Sequence, residues 1–531
     1  MTMIVYDTTL RDGAQQEGLL FSVEDKLKIL ELLDELGVDY VEGGWPGSNP
    51  TDVHLFERAK QMNLRHAKLA AFGCTRRADV HVEDDANVRA LIAADTPTAT
   101  VFGKSAPLHV RRVLATSLDN NLRMIADTVA YLVDAGREVI FDAEHFFDGF
   151  AEDAAYAVDT LHAASDAGAS TIVLCDTNGG SLPKDVGAAV EFVHRHTVAP
   201  IGIHAHNDGG LAVANTLVAV RHGATHVQGT INGYGERCGN ADLCTVVPSL
   251  VLKLGNACHA AGRLSTLSGI SAAIAEIANH RPDPQRPYVG TSAFAHKGGM
   301  HVDALAKCTR SYQHVDPQSV GNRTRSLVSS VSGRASLRLK ADEFRLRLTE
   351  FAGENAEEQL LSRIKHLEHL GFQFEGADAS VELLIRRLDP GYSAPFRLDD
   401  FHVLVQGHPD GGMRADASVK ICFGSGEKVQ TAADGNGPVN ALDAAVRKAL
   451  EPKFPEIGAV RLADYKVRIL DTESGTAAKT RVLVTSTDGE RRWCTVGCGT
   501  NIIEASWLAL ADSYEYALVG SPVACGGRNG K

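Results

Sequence analysis

The chain has 531 residues, more than one compact domain holds, so two or three domains are expected. Hydrophobic residues make up 44% and charged residues 22%, an ordinary globular composition with ample core. A formal net charge of −13 argues against nucleic acid and anionic membrane as general partners, leaving only local basic pockets open.

From Met3 to about Leu250 short β-rich runs alternate with longer helical patterns. Strands are expected near Ile4–Tyr6, Tyr40–Glu42, Lys68–Phe72, Thr98–Phe102, Glu138–Asp142, Thr171–Cys175, Ile201–Ala205 and His226–Thr230. Amphipathic segments lie between them, among them Ser22–Leu36, Ser117–Ala135 and Gly209–His222. The first opens on a Ser22-x-x-Asp25 pattern that resembles a cap. Eight strand–helix units in about 250 residues fit an α/β fold, a closed (β/α)8 TIM barrel, in number and size. A doubly wound open sheet is the competing arrangement. The barrel matters because catalytic side chains in that fold sit at the C-terminal ends of the strands. Asp12, Glu144, Thr177, His204, His206 and Asn240 all fall at or just beyond such ends.

After Leu254 the alternation stops, and Arg281–Pro287, with three prolines, marks a break. Tyr288–Met300 is rich in small residues, and the glycines of Lys297-Gly298-Gly299 allow a mobile turn before His301 and Tyr312: a lid or a plain surface loop. Leu337–Leu388 is strongly helical, and Asp389–Pro395 reads as a linker. Beyond it come alternating strands (Phe401–Gln406, Ala415–Phe423, Tyr465–Leu470, Thr480–Thr485) and two helices, Val439–Leu450 and Ile502–Leu518, each after a glycine turn. A recurrence at roughly sixty residues suggests a duplicated ββα-type unit in an α+β domain. The expected partition is a barrel over 1–280, linker subdomains with a catalytic lid over 281–390, a regulatory and dimerisation domain over 391–520, and a disordered tail over 521–531.

No apolar run approaches the roughly 18 residues of a membrane-spanning helix, and the first residues enter a strand with no signal peptide expected. Ten cysteines are scattered without a paired CxxC pattern, so free thiols in a reducing cytosol are expected.

Three stretches carry chemistry. In Ile201-Gly202-Ile203-His204-Ala205-His206-Asn207-Asp208, strand alternation points both imidazoles the same way, half of a site for a divalent metal. Asp7-Thr8-Thr9-Leu10-Arg11-Asp12-Gly13 again follows a short apolar strand and ends in charged groups and a glycine. The third is Gly233-Tyr234-Gly235-Glu236-Arg237-Cys238-Gly239-Asn240-Ala241-Asp242.

Taken in chain order, the three stretches resemble the family of Claisen-condensing acyltransferases that includes 2-isopropylmalate, homocitrate and citramalate synthases. Its relatives include the lyase that cleaves hydroxymethylglutaryl-CoA. The resemblance covers about Met3 to Leu518, and Asp142–Gly149 with Ser292–Met300 looks most like the citramalate branch. It implies a metal-dependent condensation of acetyl-CoA with a 2-oxo acid, pyruvate first. Asp12, His204 and His206 are then the metal ligands, with Asn240 as a nearer or more distant oxygen donor, around Zn, Mn, Co or Mg. Arg11 would meet the developing oxyanion or the acid's carboxylate, Thr177 would bond that carboxylate, and Glu144 and His301, with Tyr312, would serve proton transfer. Phe72, Phe102 and Asp142 are candidates for flanking the substrate's side chain. Lys104 could meet a distal carboxylate, or a CoA phosphate together with Arg111 and Arg112. The C-terminal region resembles a feedback domain, which implies a homodimer, inhibition by isoleucine ahead of leucine, and a place in isoleucine biosynthesis. Helices opening after Gly435–Gly437 and Gly497–Gly499 could hold an amino acid's carboxylate, or simply be capped there.

Rival readings are a 2-isopropylmalate synthase acting on 2-oxoisovalerate, a lyase of the hydroxymethylglutaryl-CoA type, and a metal-binding regulatory protein without activity. Cys238 raises the lyase reading, because such lyases carry a cysteine in the corresponding loop. The feedback-like domain and the full acid–base set weigh against the last two.

Overall fold

The computed structural model describes residues 2–329, 332–346, 355–407, 412–471 and 475–519. The tail expected over 521–531 and part of the helical region before Leu388 therefore lie outside the described residues. Two compact bodies are present: Met1–Phe294 with Val315–Arg323, and Ala295–His314 with the chain from Thr324 onward.

Eight parallel strands close the first body into a barrel in sequence order: β1 Ile4–Asp7, β2 Tyr40–Gly44, β3 Lys68–Cys74, β4 Thr98–Lys104, β5 Glu138–Glu144, β6 Thr171–Asp176, β7 Ile201–Ala205 and β8 His226–Gly229. Closure is made by β1 on β8, with Ile4 opposite His226 and Asp7 opposite Gly229. All eight expected strands are there. Several run further than their apolar stretch, and the added residues, such as Gly43-Gly44, Gly103-Lys104 and Ala143-Glu144, form the mouth of the barrel. The helix Val23–Leu36 opens on a full capping box: Ser22 Oγ accepts from Asp25 N, and Asp25 returns the bond to Ser22 N. Its Ile29, Leu30 and Leu33 are fully buried in the layer between helices and barrel. Inside the barrel, Tyr6, Tyr40, Ala70, Ile140, Val173 and Cys175 form a separate cluster, the packed plug that makes this fold solid. The proline-rich break does not hang free, since Arg286 Nη1 pairs with Asp242 at 2.8 Å.

In the second body, β9 Ala295–His296 pairs with β10 Arg325–Ser326, followed by helices Arg334–Glu343, Ala356–His369 and Asp378–Arg386. Two antiparallel sheets then follow: β11 Phe396–Gly407, β12 Met413–Phe423 and β13 Lys428–Gly435; β14 Arg461–Ile469, β15 Thr480–Thr487 and β16 Arg492–Gly499. Each is followed by a helix, Pro438–Leu450 or Ile502–Val519. Corresponding elements begin at 396 and 461, 413 and 480, 428 and 492, 438 and 502, so the expected duplication is present with a third strand in each unit. The third strands end in glycines that resemble turns in the sequence. At Gly497 the reason for glycine is different, because a Cβ there would run into the backbone of Ala505 and Ala509 on the helix packed above. That glycine permits close packing and does not open the helix, which starts at Ile502.

Candidate active site at the barrel mouth

The loop after β1 is fixed before it presents any charge. Asp7 accepts from Thr9 N and Thr9 Oγ1 at 2.8 and 2.9 Å, and Thr9 Oγ1 accepts from Ile231 N beyond β8. Arg11 and Asp12 follow. Alternation along β7 carries His204 and His206 to the same side, as expected. Asp12 Oδ2 lies 3.2 Å from His204 Nε2 and 3.8 Å from His206 Nε2, and the two Nε2 atoms are 3.3 Å apart. All three residues are buried, and theirs is the one such group among the described residues able to hold a metal ion.

The chemistry of this group fits a divalent cation. Two imidazole nitrogens and a carboxylate oxygen converge, a mixed set suited to Zn, Mn, Co or Mg. Beside them, His206 Nδ1 and Asn240 Oδ1 are buried without a hydrogen-bond partner among the described residues. A short antiparallel bridge sets Asn240 against His206, while Asn240 Nδ2 donates to Tyr234 O at 3.1 Å. Burial alone would raise the Asp12 carboxyl, but Arg11 and both imidazoles overcome it and hold the group well below the usual carboxylate range. Burial pushes His206 down to about 4, whereas at His204 the bond and charge of Asp12 outweigh burial and raise it.

Arg11 is held on two sides. Its Nε donates to Glu42 Oε1 at 2.6 Å, and its guanidinium carbon lies 3.8 Å over the Phe72 ring. Glu42 also accepts from Tyr6 Oη at 2.7 Å, and that hydroxyl shares a 2.6 Å bond with Thr100. Phe72 stacks on Phe102 at 5.2 Å, and Trp45 meets both edge-on at 5.7 and 5.5 Å, so an aromatic wall stands next to the guanidinium. Asp142 is buried and receives a 3.1 Å bond from Gln228 Nε2; burial and the charge of Glu42 push it up to about 7. The sequence reading missed Tyr6, Glu42, Trp45 and Gln228. A signal existed for Glu42 and Gln228, since each is a polar residue inside a short apolar barrel strand, where burial needs a reason.

Glu144 ends β5 and is ion-paired with Lys104 at the end of β4. Lys104 is thus engaged by Glu144, the residue expected to serve proton transfer. Thr177 Oγ1 accepts from His145 N at 2.8 Å, where His145 takes a left-handed φ of 58°. The third motif acts as a clasp. Arg237, at a φ of 57°, donates to both oxygens of Asp208 at 2.7 and 2.9 Å and to Thr177 O at 2.8 Å. Cys238 is exposed and free. His301 and Tyr312 belong to the second body, where their rings stack at 4.2 Å.

Known proteins align with this chain over almost its whole length. Three family models match in order: HMGL-like over residues 2–273, homocitrate synthase post-HMGL domain-like over 288–370, and the LeuA allosteric (dimerisation) domain over 375–518. An (R)-citramalate synthase of Geobacter sulfurreducens is 48% identical over 515 residues, covering 97% of both chains. One from Aquifex aeolicus is 48% identical over 517 residues, again with 97% of both covered. The chain belongs to the citramalate synthase family. It is an acyl-transferring condensation enzyme with the HMGL-like barrel. A 2-isopropylmalate synthase of Pyrococcus furiosus is similar at a greater distance, 30% identical over 509 residues with 94% of this chain covered. No helix among the described residues is long and apolar enough to cross a membrane.

Proposed function

We propose that this enzyme condenses acetyl-CoA with pyruvate and water to give (R)-citramalate and CoA, at a divalent metal held by Asp12, His204 and His206 with Asn240 beside them. The observation that carries the reading is the convergence of three ligand atoms next to a fixed guanidinium. A metal bound there would supply Lewis-acid polarisation of the keto group. The rest falls to the chain. Arg11, already oriented by Glu42 and Phe72, faces charge that grows on the former keto oxygen without reorganising. Thr177 keeps a hydroxyl proton to give to the acid's carboxylate, because its oxygen is the acceptor toward His145. Glu144 and His301 are the assigned groups for removal of the thioester methyl proton, with Tyr312 stacked on His301. Replacing either should slow exchange of those protons and leave metal content intact.

The stacked Phe72–Phe102 wall with Trp45 across its edge favours a methyl over a branched side chain. A methylene-sized difference is worth about 1–3 kcal/mol. Thiol release from acetyl-CoA against a panel of 2-oxo acids tests the assignment: pyruvate should give the highest kcat/KM. Preference for 2-oxoisovalerate would move the enzyme to the isopropylmalate branch.

The duplicated domain is assigned to control and pairing. A cavity of about 290 Å³ lies within it, walled by Val439, Val460, Leu462 and Leu510, with Asp443 and Arg447 as its charged groups. Apolar walls suit the side chain of a branched-chain amino acid, isoleucine first and leucine second, whose charged ends would exchange with the Asp443–Arg447 pair, now 3.0 Å apart. Val439 and Asn440 lie in the first turn after Gly437, so the first of the two expected glycine turns abuts this cavity and the second does not. For inhibition, isoleucine must bind the less active conformation more tightly. Exposed Leu404, Met413, Leu462 and Ile469 on the sheets support a homodimer formed through this domain. All nine described cysteines are free; a cytoplasmic enzyme at the entry to isoleucine biosynthesis is the setting proposed.

A further inference from the structure

We propose that Gln228 and Asp142 form a relay across the barrel interior that fixes which nitrogen of His204 is offered to the metal. The inference rests on the metal reading above; in it Gln228 and Asp142 act on the ion through His204, as positioning residues.

His204 and Gln228 are register partners on adjacent strands β7 and β8, so their side chains emerge side by side on the same face. Gln228 is fully buried and its amide uses both ends. Its Oε1 lies 2.8 Å from His204 Nδ1, and its Nε2 donates to Asp142 Oδ1 at 3.1 Å. Asp142 comes from β5, three strands away around the barrel, so the link spans the interior and does not follow one ladder. Asp142 sets the direction. Its Oδ1 accepts from the amide's N–H end, which leaves only the amide oxygen to face His204. An oxygen there accepts, so Nδ1 must carry the proton and Nε2 keeps its lone pair. That lone pair is the one aimed at Asp12 Oδ2 and His206 Nε2.

His206 provides an internal contrast. Its Nδ1 is buried without a hydrogen-bond partner among the described residues, so no comparable device directs that ring. Of the two imidazoles, one is oriented by the fold and the other takes its orientation from what it binds.

The test measures metal binding on the full-length protein with Zn²⁺ and Mn²⁺ against a competing chelator, and the visible absorption of the Co²⁺ form as a signature of coordination. Gln228→Leu should weaken binding about 10- to 100-fold, the usual range for residues that orient a ligand. Asp142→Asn should weaken it less, because an amide facing an amide lets either end of Gln228 turn to His204. The decisive variant is the swap, Gln228→Glu with Asp142→Asn. It conserves net charge and restores a one-way relay, since the new carboxylate accepts both from His204 and from the amide at position 142. Its affinity should return to within a few-fold of wild type. A folded Gln228→Leu protein that holds the ions as tightly as wild type overturns the proposal, and so does a swap no tighter than Gln228→Leu. Should Gln228→Leu fail to fold, the swap against Asp142→Asn decides alone. His204→Ala separates the two levels. If it loses the ion while Gln228→Leu does not, only the relay falls; if it too binds like wild type, the metal reading falls with it.

Discussion

At the mouth of the barrel, Asp12, Glu42 and Asp142 are all buried, and a single guanidinium, Arg11, stands among them. The second body also buries charge, but there each buried group meets its opposite. Lys340 pairs with Glu343 and Asp378 at 3.0 Å each, Glu382 with Arg386 at 2.7 Å, and Glu515 with Arg387 at 2.7 Å. Burying an ion is expensive unless it is paired, so a cation in contact with each buried carboxylate is what stability alone selects. At the barrel mouth Asp12 and Glu42 share Arg11, while Asp142 has no cation in ion-pair contact among the described residues. The surplus at the barrel mouth amounts to two negative charges when all three are ionised, which is the charge of one divalent cation. Buried charge in this chain is therefore structural where it is neutralised from within and functional where it awaits something from outside.

The largest effect that would break this contrast comes from Asp12→Asn, which keeps shape and removes one ligand charge. Turnover should fall on the order of 10³-fold with loss of the bound divalent ion, as when a main electrostatic stabiliser is removed. Full retention of the ion in the folded variant would remove Asp12 from the ligand set. The converse holds in the second body. Lys340→Met leaves Glu343 and Asp378 without their buried cation, and should cost about 3–5 kcal/mol of stability. Metal content, read by elemental analysis of folded material, should stay at wild type. Loss of metal in that variant would erase the distinction between the two kinds of buried charge.

The strands of the barrel were legible because alternation of apolar runs with amphipathic helices survives in the sequence. The metal triad was legible because β7 ends in a His-x-His whose spacing matches the pleat. What was not legible lies at right angles to the chain. Glu42 serves Arg11 from 31 positions away, and Asp142 is bonded to Gln228, 86 positions beyond it, which in turn meets His204. Such links follow from strand order and barrel closure, which no local window contains. The third strands β13 and β16 were hidden for a local reason: small residues and terminal glycines imitate turns, while Gly497 is small so that a helix can pack on it.

The cavity of the duplicated domain allows a smaller, sharper test of its role. Val439 lines it, is only partly buried and is not among the exposed residues assigned to pairing, so Val439→Trp can occupy the space without touching the proposed dimer face. Isoleucine affinity, measured by calorimetry, should drop at least about tenfold, the loss of roughly 1.4 kcal/mol or more of contact. Unchanged isoleucine affinity would remove the cavity from the regulatory reading and leave the barrel's chemistry untouched.

The smallest expected effect concerns His226, a buried base in the barrel that takes no part in the site. Its ring packs 5.4 Å from Tyr6 and 6.2 Å from Tyr40, and burial, helped by the charge of His204 and opposed by Glu138, pushes it down to about 3. In the unfolded chain a histidine titrates near 6.5. As pH falls from about 6.5 toward 3, the unfolded state takes up this proton while the folded state does not, so His226 withdraws stability over that window. The limit is about 1.4 kcal/mol per pH unit, or roughly 2 kcal/mol by pH 5. Asp7 acts in the opposite direction. Burial, opposed by the bonds from Thr9, raises it to about 7, so between its unfolded value near 3.9 and 7 the folded state holds the extra proton and gains stability as pH falls. Measured alone, the wild-type curve would show these contributions nearly cancelling. The difference between wild type and His226→Phe isolates one of them, because Asp7 is common to both. The variant's melting temperature relative to wild type should rise steadily from pH 7.5 to pH 5. A pH-independent difference would mean that His226 is protonated as readily inside the barrel as outside it, and the interior plug around Tyr6 and Tyr40 would have to admit water.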